Sequence, residues 1–136
     1  MLQPVVIDGI RTPIGKLNGA MKDIQPEEIA AFLLQKICER SHLDIRLLDA
    51  VILGQAKQSS DQPNIARLAA LMTKFPLEVQ AYTVHRQCGS GMQAVQNAAQ
   101  EIMCGYADFV LAGGIESMSN AQYYLREARR GYAVGN

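Results

Sequence analysis

The 136-residue sequence has no tryptophan, and its aromatic content is limited to five tyrosines and three phenylalanines. Thirteen lysines and arginines balance thirteen aspartates and glutamates. Without excess positive charge, or aromatic residues interleaved with basic ones, a general nucleic-acid binder is excluded. Arg126, Arg129 and Arg130 cluster, but Glu127 sits among them, which reads as a solvated or interface-forming face. The three cysteines, Cys38, Cys88 and Cys104, form no CxxC pair, and His42 and His85 complete no metal-ligand spacing. No metal site is therefore expected, and the setting is read as reducing and cytoplasmic. The start, MLQPVVIDG, lacks a basic region followed by an apolar core. No apolar run has the length of a membrane span. A GxGxxG after a strand and a GxxxxGK(S/T) are both missing, which removes the best support for dinucleotide or nucleoside-triphosphate binding. No internal repeat divides the chain.

Against these absences stands a regular alternation of apolar patterns. Val5-Val6-Ile7 reads as a strand closed by Asp8-Gly9. Pro26, Glu27 and Glu28 suit a helix's first turn, with Ile29, Phe32, Leu33 and Ile37 as its apolar stripe and Lys36, Arg40 and His42 near its end. Ala50 to Leu53 reads as a second strand. Asp61-Gln62-Pro63-Asn64 starts a second helix over Ile65, Leu68, Ala69 and Met72, broken by Pro76. Val79 to Val84 forms a third strand, and Met92, Val95, Ala99 and Ile102 mark a third helix ended by Gly105. Phe109 to Ala112 completes four strands, running into Gly113-Gly114. The order β-α-β-α-β-α-β predicts an α/β domain with a largely parallel sheet of four strands and helices on both faces. Reactive groups in such sheets gather outside the carboxyl ends of the strands.

Cys88 stands at such an end, in Val84-His85-Arg86-Gln87-Cys88-Gly89-Ser90-Gly91-Met92, where a strand gives way to a helix. Helix N-termini carry unpaired N–H groups and a positive dipole end, which favour a thiolate. Gly89 and Gly91 leave room for a substrate carbonyl. The local pattern supports two readings: a nucleophile on a strand–turn–helix junction, or a buried structural cysteine. His85 reads as a hydrogen-bonded neighbour rather than a base, because a strand-end residue need not point at a helix-start sulfur. Cys104, sixteen residues on, is too distant at about 1.5 Å per residue to pair with Cys88, and reads as core. Met72, Met92, Met103 and Met118 read as gap-fillers, and Glu116 as a residue that caps or hydrogen-bonds its turn rather than as a general acid.

Four ordered segments carry a resemblance. Asp8-Gly9-Ile10-Arg11-Thr12-Pro13-Ile14-Gly15, Gln62 to Ala70, Val84 to Met92, and Ala112-Gly113-Gly114-Ile115-Glu116-Ser117-Met118-Ser119-Asn120 together resemble the N-terminal part of a thiolase. The resemblance implies the N-terminal half-domain of that fold, a mostly parallel mixed sheet. Residues 1–117 would form the α/β domain without its last strand, and 118–136 the start of a loop domain. It implies acyl transfer between acyl-CoA thioesters, with Cys88 as the acylated residue and its backbone N–H in an oxyanion hole. Two acetyl-CoA would give acetoacetyl-CoA and CoA, or another 3-oxoacyl-CoA would be cleaved. Coenzyme A thioesters are then substrates and no resident cofactor is expected. A homo-oligomer, dimer or tetramer, and a place in fatty acid metabolism follow for the full-length enzyme.

His85 departs from the asparagine usual in the family. The sequence also contains no Asn-Glu-Ala-Phe, Gly-His-Pro or Cys-Gly-Gly-Gly-Gly segment, which in the family activate the nucleophile and supply the second, proton-transferring cysteine. The chain ends roughly a third of the way through a typical member, inside a segment, Tyr123 to Gly135, that resembles the start of the part joining dimers into tetramers. A fragment or truncated product, inactive alone, is therefore expected. A ketosynthase-type condensing enzyme is the sister reading, disfavoured by Gln-Cys-Gly-Ser-Gly and Arg-Thr-Pro. A non-catalytic remnant that pairs with a partner chain is the other.

Overall fold

The computed structural model describes residues 2–132. Three helices and three strands form its body: α1 (Pro26–Ser41), β1 (Ala50–Gly54), α2 (Ile65–Leu71), β2 (Gln80–Val84), α3 (Ser90–Met103) and β3 (Val110–Gly114). The strands make one parallel sheet in the order β2-β1-β3. The register sets Ala50 beside both Gln80 and Val110, and Gly54 beside both Val84 and Gly114. The route from β1 to β2 runs one way across the sheet, and the route from β2 to β3 runs back over β1. With right-handed crossovers, that reversal places α2 and α3 on opposite faces. One core layer gathers Val51 and Leu53 with α2 and α1, including Leu34, Cys38, Ile65 and Ala66. The other sets Ile52 against Ala94 and Ala98 of α3. β1 is buried along its whole length, as a central parallel strand must be.

Local chemistry accounts for the helix ends. Pro26 occupies the first turn of α1, and Glu28 Oε2 accepts the Gln25 N–H at 2.8 Å. His42 closes the helix at φ 53°, its N–H donating to Glu39 O. Asn64 caps α2, its Oδ1 accepting from Arg67 N (3.1 Å) and from Thr83 Oγ1 (2.9 Å), while its Nδ2 donates to Ala81 O. Arg67 donates to the carbonyls of Val79 and Leu77. Residues 62–70 therefore bind helix to strand through their polar members.

The sheet differs from expectation at its first strand. Val5, Val6 and Ile7 are exposed and, among the described residues, pair with no strand. β-branched residues favour an extended backbone, whereas pairing is decided by tertiary context. This segment is held elsewhere: Arg40 at the end of α1 donates to both carboxylate oxygens of Asp8 and to Gly9 O, and holds the Asp8 carboxyl below the usual carboxylate range. The described sheet thus has three strands, with β1 central. The α1 stripe also shifts. Ile29, Ala30, Ala31, Leu34 and Cys38 are buried, whereas Phe32 is exposed with Lys36 Nζ 5.9 Å from its ring centroid.

On α3, the face that packs is Ala94 and Ala98, not Met92 and Val95, which are exposed. Cys104 is exposed as well, not core. At 3.6 residues per turn it lies about 100° from the middle of the Ala94–Ala98 stripe. Met72, Met103 and Met118 are likewise exposed, so they fill no gap in the described core. No described helix is long and apolar enough to cross a membrane.

Candidate functional site

β1 hands the chain to α2 on one face and β2 hands it to α3 on the other. The carboxyl ends of these neighbouring strands therefore form a switch point. Cys88 lies there, between the end of β2 and the start of α3, and its side chain is exposed. This excludes the reading of a buried structural cysteine. The turn is tight. Gln87 adopts φ 48°, a left-handed conformation uncommon outside glycine. Gly89 N donates to Arg86 O and Ser90 N to Gln87 O, both at 3.0 Å. The buried Ser90 hydroxyl donates to Gln87 O and accepts from Arg86 N. Backbone and serine together thus hold Gln87 in a strained geometry that presents the next residue outward. The N–H groups of Cys88, Gly91 and Met92 make no hydrogen bond to described residues, leaving donors at the helix start for an anion.

Three glycines set how close the helix comes to the strand ends. A Cβ on Gly54 would fall 2.2 Å from Ser90 C and 2.4 Å from Gly91 N. A Cβ on Gly114 would meet Gly91 Cα at 3.2 Å. The bare Gly54 and, to a lesser degree, Gly114 allow α3 to rest on β1 and β3, and the Cys88 turn inherits its position from that contact. Glu116 closes the same rim: its Oε2 accepts the N–H groups of Ala56 (2.8 Å) and Lys57 (3.1 Å), a hydrogen-bonding role as expected, though to the turn after β1 rather than to its own. His85 is exposed and has no hydrogen-bond partner among the described residues, contrary to its expected bonded state. Its place after the last β2 residue points it to solvent. A cleft of about 640 Å³ lies at the opposite, amino end of the strands beside Asp49, Glu78 and Gln80. No group of three or more His, Cys, Asp or Glu that could hold a metal occurs among the described residues.

The cysteines now separate by environment. Cys38 is buried in the α1 core, and burial pushes its thiol up. Cys88 and Cys104 are both exposed but stand at opposite ends of α3, before its first turn and at its C-cap. Unpaired N–H groups flank Cys88 at the start of α3, whereas at the other end the carbonyls of Gln100, Glu101 and Ile102 accept from Cys104, Tyr106 and Gly105. Native-state labelling with limiting iodoacetamide, mapped by mass spectrometry, is expected to modify Cys88 at least fivefold faster than Cys104, with Cys38 slowest. Equal rates at the two exposed thiols would remove the helix-end argument.

A parallel sheet with helices on both faces, and an exposed cysteine at its strand–turn–helix switch point, defines a domain of the doubly wound α/β class. The family model described as "Thiolase, N-terminal domain" matches residues 4–136, and the chain belongs to the thiolase family. Among its relatives, a probable acetyl-CoA acyltransferase of Staphylococcus epidermidis is 40% identical over 136 residues, covering 100% of this chain and 34% of that protein. The 3-oxoadipyl-CoA/3-oxo-5,6-dehydrosuberyl-CoA thiolase of Escherichia coli K12 is 39% identical over 135 residues, covering 98% and 34%. The crystal structure of the Bacillus anthracis acetyl-CoA acetyltransferase superposes with TM-score 0.88 at 42% identity, over 92% of this chain and 32% of that one. The chain spans about a third of the length of the curated relatives it matches.

Sequence reasoning placed Cys88, the Gly113-Gly114 turn and Glu116 at one end of the sheet, where they are found. It missed Gly54, whose importance shows only when Ser90 is seen against it.

Proposed function

We propose that this chain supplies the acyl-accepting nucleophile of a thiolase acting on coenzyme A thioesters. The supporting observation is the exposed Cys88, held by a strained turn beside unpaired N–H groups at the carboxyl end of a parallel sheet. In the proposed step the Cys88 sulfur attacks the carbonyl carbon of an acyl-CoA. The carbonyl oxygen gains negative charge, which the Cys88 N–H and its neighbours are suited to stabilise. Collapse breaks the carbon–sulfur bond to CoA, which leaves with the proton Cys88 gave up, and the acyl group stays on Cys88.

The further reading is that acetyl-CoA is the substrate and acetoacetyl-CoA or another 3-oxoacyl-CoA the condensed partner, with no resident cofactor, in a cytoplasmic homo-oligomer. The division at residues 117 and 118 into a sheet domain and the start of a loop domain belongs to the same proposal, and residues 133–136 of the dimer-joining segment lie outside the described residues. Incubation with acetyl-CoA followed by peptide mass mapping is expected to find an acetyl group on the peptide carrying Cys88, absent in Cys88→Ser. Acetylation confined to Cys104, or none at millimolar acetyl-CoA over hours, would overturn the assignment.

A further inference from the structure

An unbroken series of side-chain hydrogen bonds runs from the Cys88 turn along the β2 side of α3. Arg86 NH1 donates to Gln93 Oε1, Gln93 Nε2 to Asn97 Oδ1 (2.8 Å), Asn97 Nδ2 to Tyr82 Oη (3.3 Å), and Tyr82 Oη to Glu101 Oε1 (2.8 Å). Gln93, Asn97 and Glu101 recur every fourth residue, so they stack along one line of the helix. The direction of donation is fixed from both ends. A guanidinium has no acceptor, so Gln93 must turn its oxygen to Arg86, and an ionised carboxylate has no donor, so Tyr82 must give its proton to Glu101. Burial and the Glu101 carboxylate push the Tyr82 hydroxyl above its ordinary range, which keeps that proton in place. Every dipole then points the same way between a cation and an anion, the arrangement in which successive bonds strengthen one another.

At the cationic end, the series closes a loop around the cysteine. The Arg86 stem lies over Gly89, with Cγ and Cδ 3.8 and 3.7 Å from where a Gly89 Cβ would sit, and its head reaches Gln93 in the second helical contact row. Gln87, Cys88 and Gly89 lie inside the span so bridged. Gln87, at a strained φ of 48°, is held within the turn by Ser90 and by backbone bonds, and the Arg86–Gln93 contact adds a restraint from outside the turn. We infer that Arg86, held by the Gln93 side-chain oxygen, is a positioning residue that fixes the Cys88 turn. Its relevance to catalysis rests on Cys88 being the acylated residue, as proposed above.

The test compares the parent chain with Gln93→Leu, Arg86→Leu and Gln93→Glu, the last keeping an acceptor for Arg86. Two quantities are read: the ratio of Cys88 to Cys104 alkylation rates, and hydrogen exchange at the Gly89 and Ser90 amides. Both leucine variants are expected to lower the ratio at least fivefold and to speed exchange at these amides about tenfold, with Gln93→Glu within twofold of the parent in both. Having two independent leucine variants guards against one failing to fold. Unchanged exchange in both leucine variants overturns the inference, as does failure of Gln93→Glu to restore the parent's values. If the parent itself shows no preference for Cys88 over Cys104, the nucleophile reading fails. The exchange data then decide the positioning role alone, faster exchange supporting it and unchanged exchange overturning it.

Discussion

Gly54→Ala is expected to destabilise the domain by about 3 kcal/mol or more, at the upper end of what overpacking a core produces. The added methyl would lie 2.2 Å from Ser90 C, 2.4 Å from Ser90 O and 2.4 Å from Gly91 N. All three are backbone atoms of the first turn of α3, so no rotamer change relieves the overlap, and the helix must move away from β1 by roughly 1 Å. That motion opens the layer of Ile52, Ala94 and Ala98 and carries the Cys88 turn with it. A displacement of about 1 Å at a reacting centre can cost about a hundredfold in rate, so Cys88 acetylation should fall along with stability. Gly9→Ala, with nothing within 4 Å of the new methyl, is the control and should remain within about 0.5 kcal/mol. Urea denaturation of both variants measures the difference; a Gly54→Ala chain within about 1 kcal/mol of the parent would show that the helix is not seated on this glycine.

The other large effect concerns turnover. The 136 residues are expected to show no detectable thiolase cycle, although Cys88 can be slowly acylated. Among the described residues no base is held against the sulfur: His85 has no hydrogen-bond partner, and His42 caps the far end of α1. Carbon–carbon bond formation also requires a group to take the α-proton of the second acetyl-CoA. Each acid–base contribution is typically about 10²–10⁴-fold, and each oxyanion donor about 10²–10³-fold. With several lacking, the rate should fall below detection. An assay with acetoacetyl-CoA and CoA settles it, run on the chain alone and again with a polypeptide carrying the Gly-His-Pro and Cys-Gly-Gly-Gly-Gly segments. Robust turnover by the chain alone would contradict this account of the catalytic groups, whereas activity only on mixing would support it.

Much of the fold was legible because central parallel strands are buried on both faces and read as short continuous apolar runs. Ala50–Gly54 and Val110–Gly114 are such runs. Val5–Ile7 has the same composition yet no partner, since composition encodes extension but not which edge is free. The Cys88 turn was legible because small residues cluster around one thiol between a strand and a helix. The orientation of α3 was not, because the helix is apolar on two sides. Its seating is decided by Gly54 and Gly114, which come from stretches of chain far from α3 in sequence. The series from Arg86 to Glu101 was invisible for a similar reason: Tyr82 enters it from a different element, and only the folded register brings its hydroxyl to Asn97 and Glu101.

The strand order also imposes a timetable. β1 is the centre of the sheet, but its two partners begin thirty and sixty residues later, at Gln80 and Val110. On a ribosome adding about 5–20 residues per second, the interval between β1 and β3 is about 3–12 s. For the first half of that time β1 has no partner, and for the second half it can pair on one side only, with its other edge and one apolar face open to neighbouring chains. Helix α1, whose contacts are local, can form well before either partner arrives. A nascent chain of this protein therefore spends its most vulnerable seconds as a two-stranded sheet, and slowing synthesis between residues 85 and 110 should increase its dependence on chaperones.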